Sequence, residues 1–109
     1  MVRKIVAYGT YYNDFIESVS KEVKKKIHYI LDLLSTQEKV DIKFVKYIKD
    51  GIFEIRVLSD GNAFRVFFIF DEDRIVVLFN GFQKKSQKTP SKEIEKAIRI
   101  KKEYYENKE

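Results

Sequence analysis

The chain has 109 residues, a length that suits one domain with a single hydrophobic core and is short for two. Hydrophobic residues make up 44% of it and aromatic residues 15%, which excludes a disordered chain. Its 22 Lys and Arg outnumber its 17 Asp and Glu, and the net charge of +5 favours nucleic acid, an anionic membrane surface or an acidic protein as partner.

The chain has no cysteine, which excludes disulfides and thiolate metal sites. Its first residues, MVRKIVAYGTYY, contain only a few apolar residues in a row. Such a run is too short for the core of a signal peptide or for a membrane span. We therefore expect a cytoplasmic protein that does not bind membranes.

The first third of the sequence predicts a strand followed by two helices. Residues 3–8, RKIVAY, form a β-branched run that ends at Gly9. From residue 12 onward, apolar residues recur every three or four positions, as in an amphipathic helix. Ser20 is a favourable N-cap, so we predict a helical hairpin over 12–19 and 21–35.

The middle of the sequence predicts three strands joined by tight turns. They are residues 52–58, 64–70 and 75–82, which are rich in β-branched and aromatic residues. The segment SDGN between the first two is a hairpin signal, and DEDR turns the chain again. Short connections of this kind predict an antiparallel meander.

A last helix is expected after Thr89, a good N-cap, and Pro90, which is tolerated in the first turn. Its apolar stripe contains Ile94, Ala97 and Ile98. The predicted order is β-α-α-β-β-β-α over residues 1–109. This is a single α+β domain whose antiparallel sheet is packed by a helical hairpin and a C-terminal helix.

The usual catalytic residue sets are not found in the sequence. His28 is the one histidine and lies in the middle of a predicted helix, where a structural role is the simpler interpretation. The carboxylates of 71–73 fall in a tight turn, and the four glycines form no phosphate-binding loop. We therefore predict neither a metal site nor a cofactor.

Two arginines interrupt strands that are otherwise largely apolar. If the predicted hairpin pairs in its simplest register, Arg56 and Arg65 project from the same face of the sheet as neighbours. Like charges side by side are unfavourable unless an anion lies between them. That anion is either a bound phosphate or an acidic side chain, such as Glu54 or an aspartate of the turns.

Three lysines follow the last predicted strand in GFQKKSQKTP. Lys84, Lys85 and Lys88 have no acidic residue near them between positions 81 and 91. A charged run of this length is by itself typical of a solvated loop. Combined with the strand arginines, it gives one basic face, which is what a nucleic-acid binder presents.

Aromatic side chains for stacking on bases are also present. Phe82 lies next to the lysines, and Tyr104 and Tyr105 lie near the C-terminus. The two tyrosines are more simply interpreted as residues that cover the core under the last helix.

The segments GIFEIRV, FRVFFIF and IVVLFNGFQKKSQKTPSKEIEKA resemble the RelE/ParE superfamily of type II toxin–antitoxin toxins, in particular its phage-derived, HigB-like branch. The most specific part is the pattern GFxKKxxKTP followed by a helix. The resemblance covers nearly the whole chain, because the order of strands and helices also agrees.

The resemblance implies a small basic endoribonuclease, an mRNA interferase, that enters the A site of the ribosome, cuts mRNA and inhibits translation. It implies a metal-independent reaction in which Arg56, Arg65, Lys84 and Lys85 are catalytic. Lys84, Lys85, Lys88 and Phe82 would contact the RNA. The implied protein partner is a cognate helix-turn-helix antitoxin that neutralises the toxin.

A second function stays open. The same superfamily contains toxins that cleave nothing and act by binding DNA gyrase. The tyrosines nearest the C-terminus lie on the predicted closing helix rather than in a catalytic tail, so the resemblance assigns no general base. A toxin that only binds DNA gyrase or another protein target is therefore the alternative.

Overall fold

Residues 2–108 are described by a computed structural model and form a five-stranded sheet with three helices. In chain order the elements are β1 (Lys4–Ala7), α1 (Tyr11–Ser18), α2 (Lys21–Thr36), β2 (Val45–Lys49), β3 (Ile52–Ser59), β4 (Asn62–Asp71), β5 (Ile75–Lys84) and α3 (Ser91–Asn107). The strands lie in the order β1-β5-β4-β3-β2. The predicted α+β class, with a helical hairpin, a meander and a C-terminal helix, is confirmed.

The sheet differs from the prediction in two respects. It contains an additional edge strand, β2, and it is mixed rather than wholly antiparallel, because β1 pairs with β5 in parallel. β2 lies at the edge and has only five residues, three of them exposed and two of them lysines, so its sequence VKYIK is a weak strand signal. The β1–β5 pairing joins residues about seventy positions apart, and no local pattern specifies it.

Two Asp-Gly turns set the register of the meander. Asp50 and Gly51 connect β2 to β3, and Asp60 and Gly61 connect β3 to β4; all four residues have φ between 50° and 79°. Two-residue turns with positive φ match the right-handed twist of paired strands, which explains the choice of Asp-Gly. The predicted SDGN hairpin is confirmed, and it places Arg56 directly opposite Arg65.

The helical hairpin covers one face of the sheet. Ser20 caps α2 as predicted, since its hydroxyl accepts a hydrogen bond from the Val23 N–H at 3.3 Å. Phe15 of α1 packs directly on Gly81, where any Cβ would overlap the aromatic ring. The core on this side is built from buried residues of α1, α2 and the central strands, which include Ile27, Ile30, Leu34, Ile55, Val66, Phe68 and Val76.

The opposite face is covered by α3 over part of its area. Ala97 and Ile100 pack on a second buried cluster that includes Phe67 and Phe79. The helix begins at Ser91, and the residue at its N-cap position is Pro90, with no side-chain capping bond, so the predicted Thr89 cap is wrong. None of the helices within residues 2–108 is long and apolar enough to cross a bilayer.

Candidate nucleic-acid interface

The site is built around two arginines on neighbouring strands. Arg56 of β3 lies opposite Arg65 of β4. The Arg56 N–H donates to the Phe44 carbonyl at 2.8 Å, on the side away from β4. The two arginines therefore form a non-hydrogen-bonded pair, the type in which facing Cα atoms are only about 4.5 Å apart and side chains are closest.

A carboxylate lies beside both guanidinium groups. Glu54 precedes Arg56 by two residues and so projects from the same face of the sheet. Its two carboxylate oxygens lie 3.5 Å from Arg56 Nε and 3.4 Å from Arg65 Nε. Of the two anions considered from the sequence, Glu54 is therefore the one that lies between the arginines in the free protein.

The three groups differ in their exposure. Glu54 is 3% exposed and Arg65 5%, whereas the side chain of Arg56 is 33% exposed. Burial lowers the pKa of Arg65, and the charge of Arg56 lowers it further, while Glu54 opposes the shift. An arginine keeps its proton at neutral pH, so the cluster holds two cations against one carboxylate.

Lys84 belongs to this cluster and not to the loop in which the sequence places it. It is the last residue of β5, half-buried, and lies opposite Ala63, so it projects from the same face as Arg65. Partial burial lowers the pKa of Lys84, as do the charges of Arg65, Arg56 and Lys46, and Glu54 opposes them. We call Lys46, Arg56, Arg65 and Lys84, with Glu54 among them, the basic patch.

The other two lysines extend the basic patch to different degrees. Lys85 is exposed and lines a cleft of about 670 Å³ together with Arg65 and Lys84. Lys88 is also exposed but lies farther along the loop, where its carbonyl accepts a hydrogen bond from the Ser86 hydroxyl at 2.9 Å. Lys85 therefore shares a cleft with Arg65, whereas Lys88 does not line that cleft.

The aromatic candidates also differ in how close they lie to the basic patch. Phe82 lies opposite Arg65 on β5 and is half-buried, with its ring centroid 5.3 Å from that of Phe67. Tyr104 covers the core under α3, as expected, and donates its hydroxyl to Asp71 at 2.6 Å. Tyr105 is 42% exposed, so the same expectation is wrong for this residue, which follows Tyr104 directly and lies on another side of the helix. His28 is exposed on α2, outside the basic patch.

The sequence pattern predicts no part in the site for Lys46, and it offers Glu54 only as an alternative partner of the arginines. Glu54 could have been placed from its spacing of two before Arg56 in FEIRV. Lys46 lies opposite Glu54 on β2, so it could not be placed without that strand. Within residues 2–108, no three His, Cys, Asp or Glu side chains lie close enough together to hold a metal ion.

The basic patch has the chemistry of a phosphate site. Guanidinium groups present fixed donor forks that match phosphate oxygens, and an ammonium adds a compact charge. Burial partly desolvates its cations, which strengthens their attraction for an anion. A phosphate bound here would contact the partly exposed Arg56 and Lys84 first, and the buried Arg65 and Glu54 would lie beneath them.

Comparisons with known proteins agree with this fold. The sequence profile of the family of phage-derived Gp49-like proteins matches residues 14–102. Among solved structures, the chain is similar to a double arginine-to-alanine mutant of the E. coli toxin RelE in the free state. The TM-score is 0.65 at 13% sequence identity, over 92% of this chain and 98% of that one. No curated protein shows a significant sequence match.

Proposed function

Because this chain belongs to the family of phage-derived Gp49-like proteins, a family of RelE- and HigB-like toxins, we propose that it is a ribosome-dependent endoribonuclease that cuts mRNA and inhibits translation. The proposal places it in the cytoplasm, as the toxin of a type II toxin–antitoxin system. Its partners are then mRNA in the ribosomal A site and a cognate helix-turn-helix antitoxin.

The observation that carries the proposal is the basic patch itself. Arg56, Arg65 and Lys84 lie on three consecutive strands and project from one face. If the cations served only to neutralise Glu54, one would be enough. The basic patch instead places two arginines beside Glu54, and Lys84 and Lys46 lie nearby. An excess of clustered cations raises the free energy of the free protein and is relieved when a polyanion binds.

The proposed reaction needs no metal ion. The ribose 2′-hydroxyl attacks the adjacent phosphorus and loses its proton to solvent water, and the bond from phosphorus to the 5′-oxygen of the next nucleotide breaks. The products are a 2′,3′-cyclic phosphate and a 5′-hydroxyl. Arg56, supported by Arg65, stabilises the negative charge that develops on the phosphate oxygens.

Lys84 is the best candidate for the proton donor to the leaving 5′-oxygen. Its pKa is lowered by partial burial and then by Arg65, which makes its ammonium a stronger acid than an ordinary lysine. The role of Glu54 is to hold the two guanidinium groups side by side. Lys85, Lys88 and Phe82 bind the RNA on either side of the cut.

Dependence on the ribosome follows from the modest chemistry of this set. The one histidine lies outside the basic patch, so strong general base catalysis is not supplied by an imidazole. Correct positioning of reacting groups alone can contribute about 7–11 kcal/mol. We propose that the ribosome supplies this positioning by holding the mRNA backbone in the A site.

The proposal is tested in cells by inducing the wild-type protein and mapping mRNA 5′ ends. We expect new ends within translated codons that disappear in Arg56→Ala and persist in Arg99→Ala. Arg99 is a matched control because it is an exposed arginine of α3 outside the basic patch. Intact transcripts together with DNA damage would instead support the alternative, a toxin that binds DNA gyrase without cleaving RNA.

A further inference from the structure

One extra residue interrupts the pairing of β5 with β4. Phe68 lies opposite Leu78, and the next pair towards the basic patch is Val66 opposite Gly81. Between these two pairs β4 has one residue and β5 has two, the second of which is Asn80. An extra residue of this kind is a β-bulge, a feature that is common beside active sites and that changes the direction of the side chains after it.

The bulge reverses the two faces of the strand. Before it, the odd-numbered Val77 and Phe79 belong to the buried cluster under α3. After it, the even-numbered Phe82 packs against that cluster, with its ring centroid 5.3 Å from that of Phe67. Lys84, two residues beyond Phe82, therefore projects on the same side, towards the arginines.

Without the bulge, the last residues of β5 would be shifted by one position against β4. Strict alternation would then place Gln83 in the basic patch and Lys84 on the face that the helical hairpin covers. Residues 75–79 are all apolar, so their alternation does little to specify which face is which. The position of Lys84 therefore depends on whatever holds the bulge.

The side chain of Asn80 joins the bulge to α3. Asn80 is 2% exposed, and its Nδ2 donates to Glu93 Oε1 at 3.1 Å and to the Glu93 carbonyl at 3.2 Å. Glu93 lies in the first turn of α3. If the strand slipped by one residue, the amide would turn towards the apolar cluster under the helical hairpin and lose both bonds. A buried amide without partners is costly, so Asn80 disfavours the slipped register.

Asn80 carries a cost in the native register as well. Its Oδ1 atom is buried and accepts no hydrogen bond from any residue within 2–108. A leucine at this position would fill a similar volume and would leave no buried polar atom without a partner. What distinguishes the amide from an apolar side chain is its pair of bonds to Glu93.

We infer that Asn80, held by Glu93, is a positioning residue that fixes the bulge of β5 and so directs Lys84 and Phe82 into the basic patch. Its importance for cleavage rests on the proposed function, in which Lys84 donates a proton and Phe82 binds the RNA. Asn80 acts through these two side chains, because its own side chain is buried.

NMR on the full-length protein follows the position of Lys84 through the pKa of its side chain and through the contact between the rings of Phe67 and Phe82. Asn80→Leu should raise the lowered pKa of Lys84 towards that of an ordinary lysine and weaken the ring contact. It should also reduce the cleavage of ribosome-bound mRNA at least tenfold. Asn13→Leu, the same change at an exposed asparagine of α1, should alter none of the three.

Deletion of Asn80 separates this role from simple anchoring of α3. Without residue 80 the strand has no bulge, and alternation alone places Phe82 and Lys84 on the side of the basic patch. The deletion variant should therefore keep the lowered pKa of Lys84 and the ring contact that Asn80→Leu loses. A residue that only anchored α3 would give the opposite order, because its deletion would be at least as damaging as its substitution.

Glu93 provides a second test if either Asn80 variant does not fold. Glu93→Gln keeps an acceptor for the Asn80 amide and should change the pKa of Lys84 less than Glu93→Leu does. The inference is wrong if the two Glu93 variants have equal effects, if Asn80→Leu folds with the pKa of Lys84 unchanged, or if the deletion is more damaging than the substitution.

The two proposals fail separately, since the NMR measurements do not depend on cleavage. A Lys84 position that depends on Asn80, in a protein that cleaves no mRNA, would overturn the proposed function and leave the assignment of Asn80 standing. Cleavage that depends on Arg56, in a protein whose Lys84 does not respond to Asn80→Leu, would overturn the assignment of Asn80 alone.

Discussion

Arg56 and Arg65 face each other across β3 and β4, and Glu54 lies within 3.5 Å of both Nε atoms. The two arginines are nevertheless not equivalent. Arg65 is buried and pairs with the buried carboxylate of Glu54, whereas a third of the Arg56 side chain is exposed to solvent. This difference separates what each side chain contributes to folding from what it contributes to function.

The first prediction compares alanine variants of the two arginines. Both Arg56→Ala and Arg65→Ala should abolish toxicity. Arg65→Ala should also cost on the order of 3 kcal/mol of unfolding free energy, because it removes one partner of a buried ion pair, whereas Arg56→Ala should cost less than about 1 kcal/mol. Denaturant unfolding and a growth assay on the same variants, with Arg99→Ala as control, measure both effects. Equal destabilisation by the two variants, with growth arrest retained, would make both arginines purely structural.

The second prediction concerns the proton on Lys84. Its pKa is lowered by burial and by Arg65, Arg56 and Lys46, and raised by Glu54. Lys46→Met should therefore raise the pKa of Lys84, and Glu54→Gln should lower it further. NMR titration of the lysine side chains measures this directly, with Lys102 as an internal reference on α3. A Lys84 pKa that responds to neither substitution would remove it from the basic patch.

The third prediction concerns packing beneath the site. A Cβ on Gly81 would overlap the ring of Phe15, so Gly81→Ala forces α1 away from β5. Overpacking of this kind costs about 1–3 kcal/mol. Phe15→Leu in the same chain should recover part of that loss. Gly61→Asn is the contrasting variant, because Gly61 has open space and a φ of 77° that Asn tolerates. Thermal unfolding of the three variants measures these effects, and an unchanged melting temperature for Gly81→Ala would contradict the prediction.

The fourth prediction concerns the C-terminal end of α3, where Asp71 bonds to both Lys108 and Tyr104. The bond from Lys108, and then that from Tyr104, lowers the pKa of Asp71. A carboxyl group whose pKa is lowered by folding stabilises the protein at pH values above its pKa in the unfolded chain, which is about 3.9. This stability is lost as the pH falls through the lowered pKa of the folded protein.

Tyr104 affects the alkaline limb of the same dependence of stability on pH. Burial and the bond to Asp71 raise the pKa of Tyr104 to about 12. Its contribution is complete below the unfolded value of about 10 and is lost as the pH rises towards the folded value. Asp71→Asn should flatten the acid limb and lower the tyrosine pKa, as followed by tyrosinate absorbance and by unfolding at several pH values. Asp60→Asn, the same change in an exposed turn, should do neither.

Local patterns in the sequence were enough to predict most of the fold. The period of apolar residues in α2, its Ser20 cap and the turn at 59–62 all lie within a few residues of the structure that they specify. β2 was missed because an exposed edge strand needs little apolar content, and the parallel β1–β5 pairing because it joins residues about seventy positions apart.

The site was predicted less completely than the fold. The arginine pair followed from strand alternation and one hairpin turn. The sequence did not predict that Lys84 lies on the strand while Lys85 and Lys88 lie in the loop, because this depends on where β5 ends. That Glu54 lies between the arginines is a matter of side-chain distance, and the sequence could offer it only as one of several possible anions.

The central claim is tested most directly with purified ribosomes carrying a defined mRNA in the A site. One version of the mRNA has normal ribose, and the other has a 2′-deoxyribose at the nucleotide to be cut. We expect the wild-type protein to cut only the normal mRNA, leaving a 2′,3′-cyclic phosphate, with Arg56→Ala inactive, Arg99→Ala active and little cutting of the same RNA without ribosomes. Cleavage of the deoxy-substituted mRNA, or no cleavage of either by a protein that still arrests growth, would contradict the account.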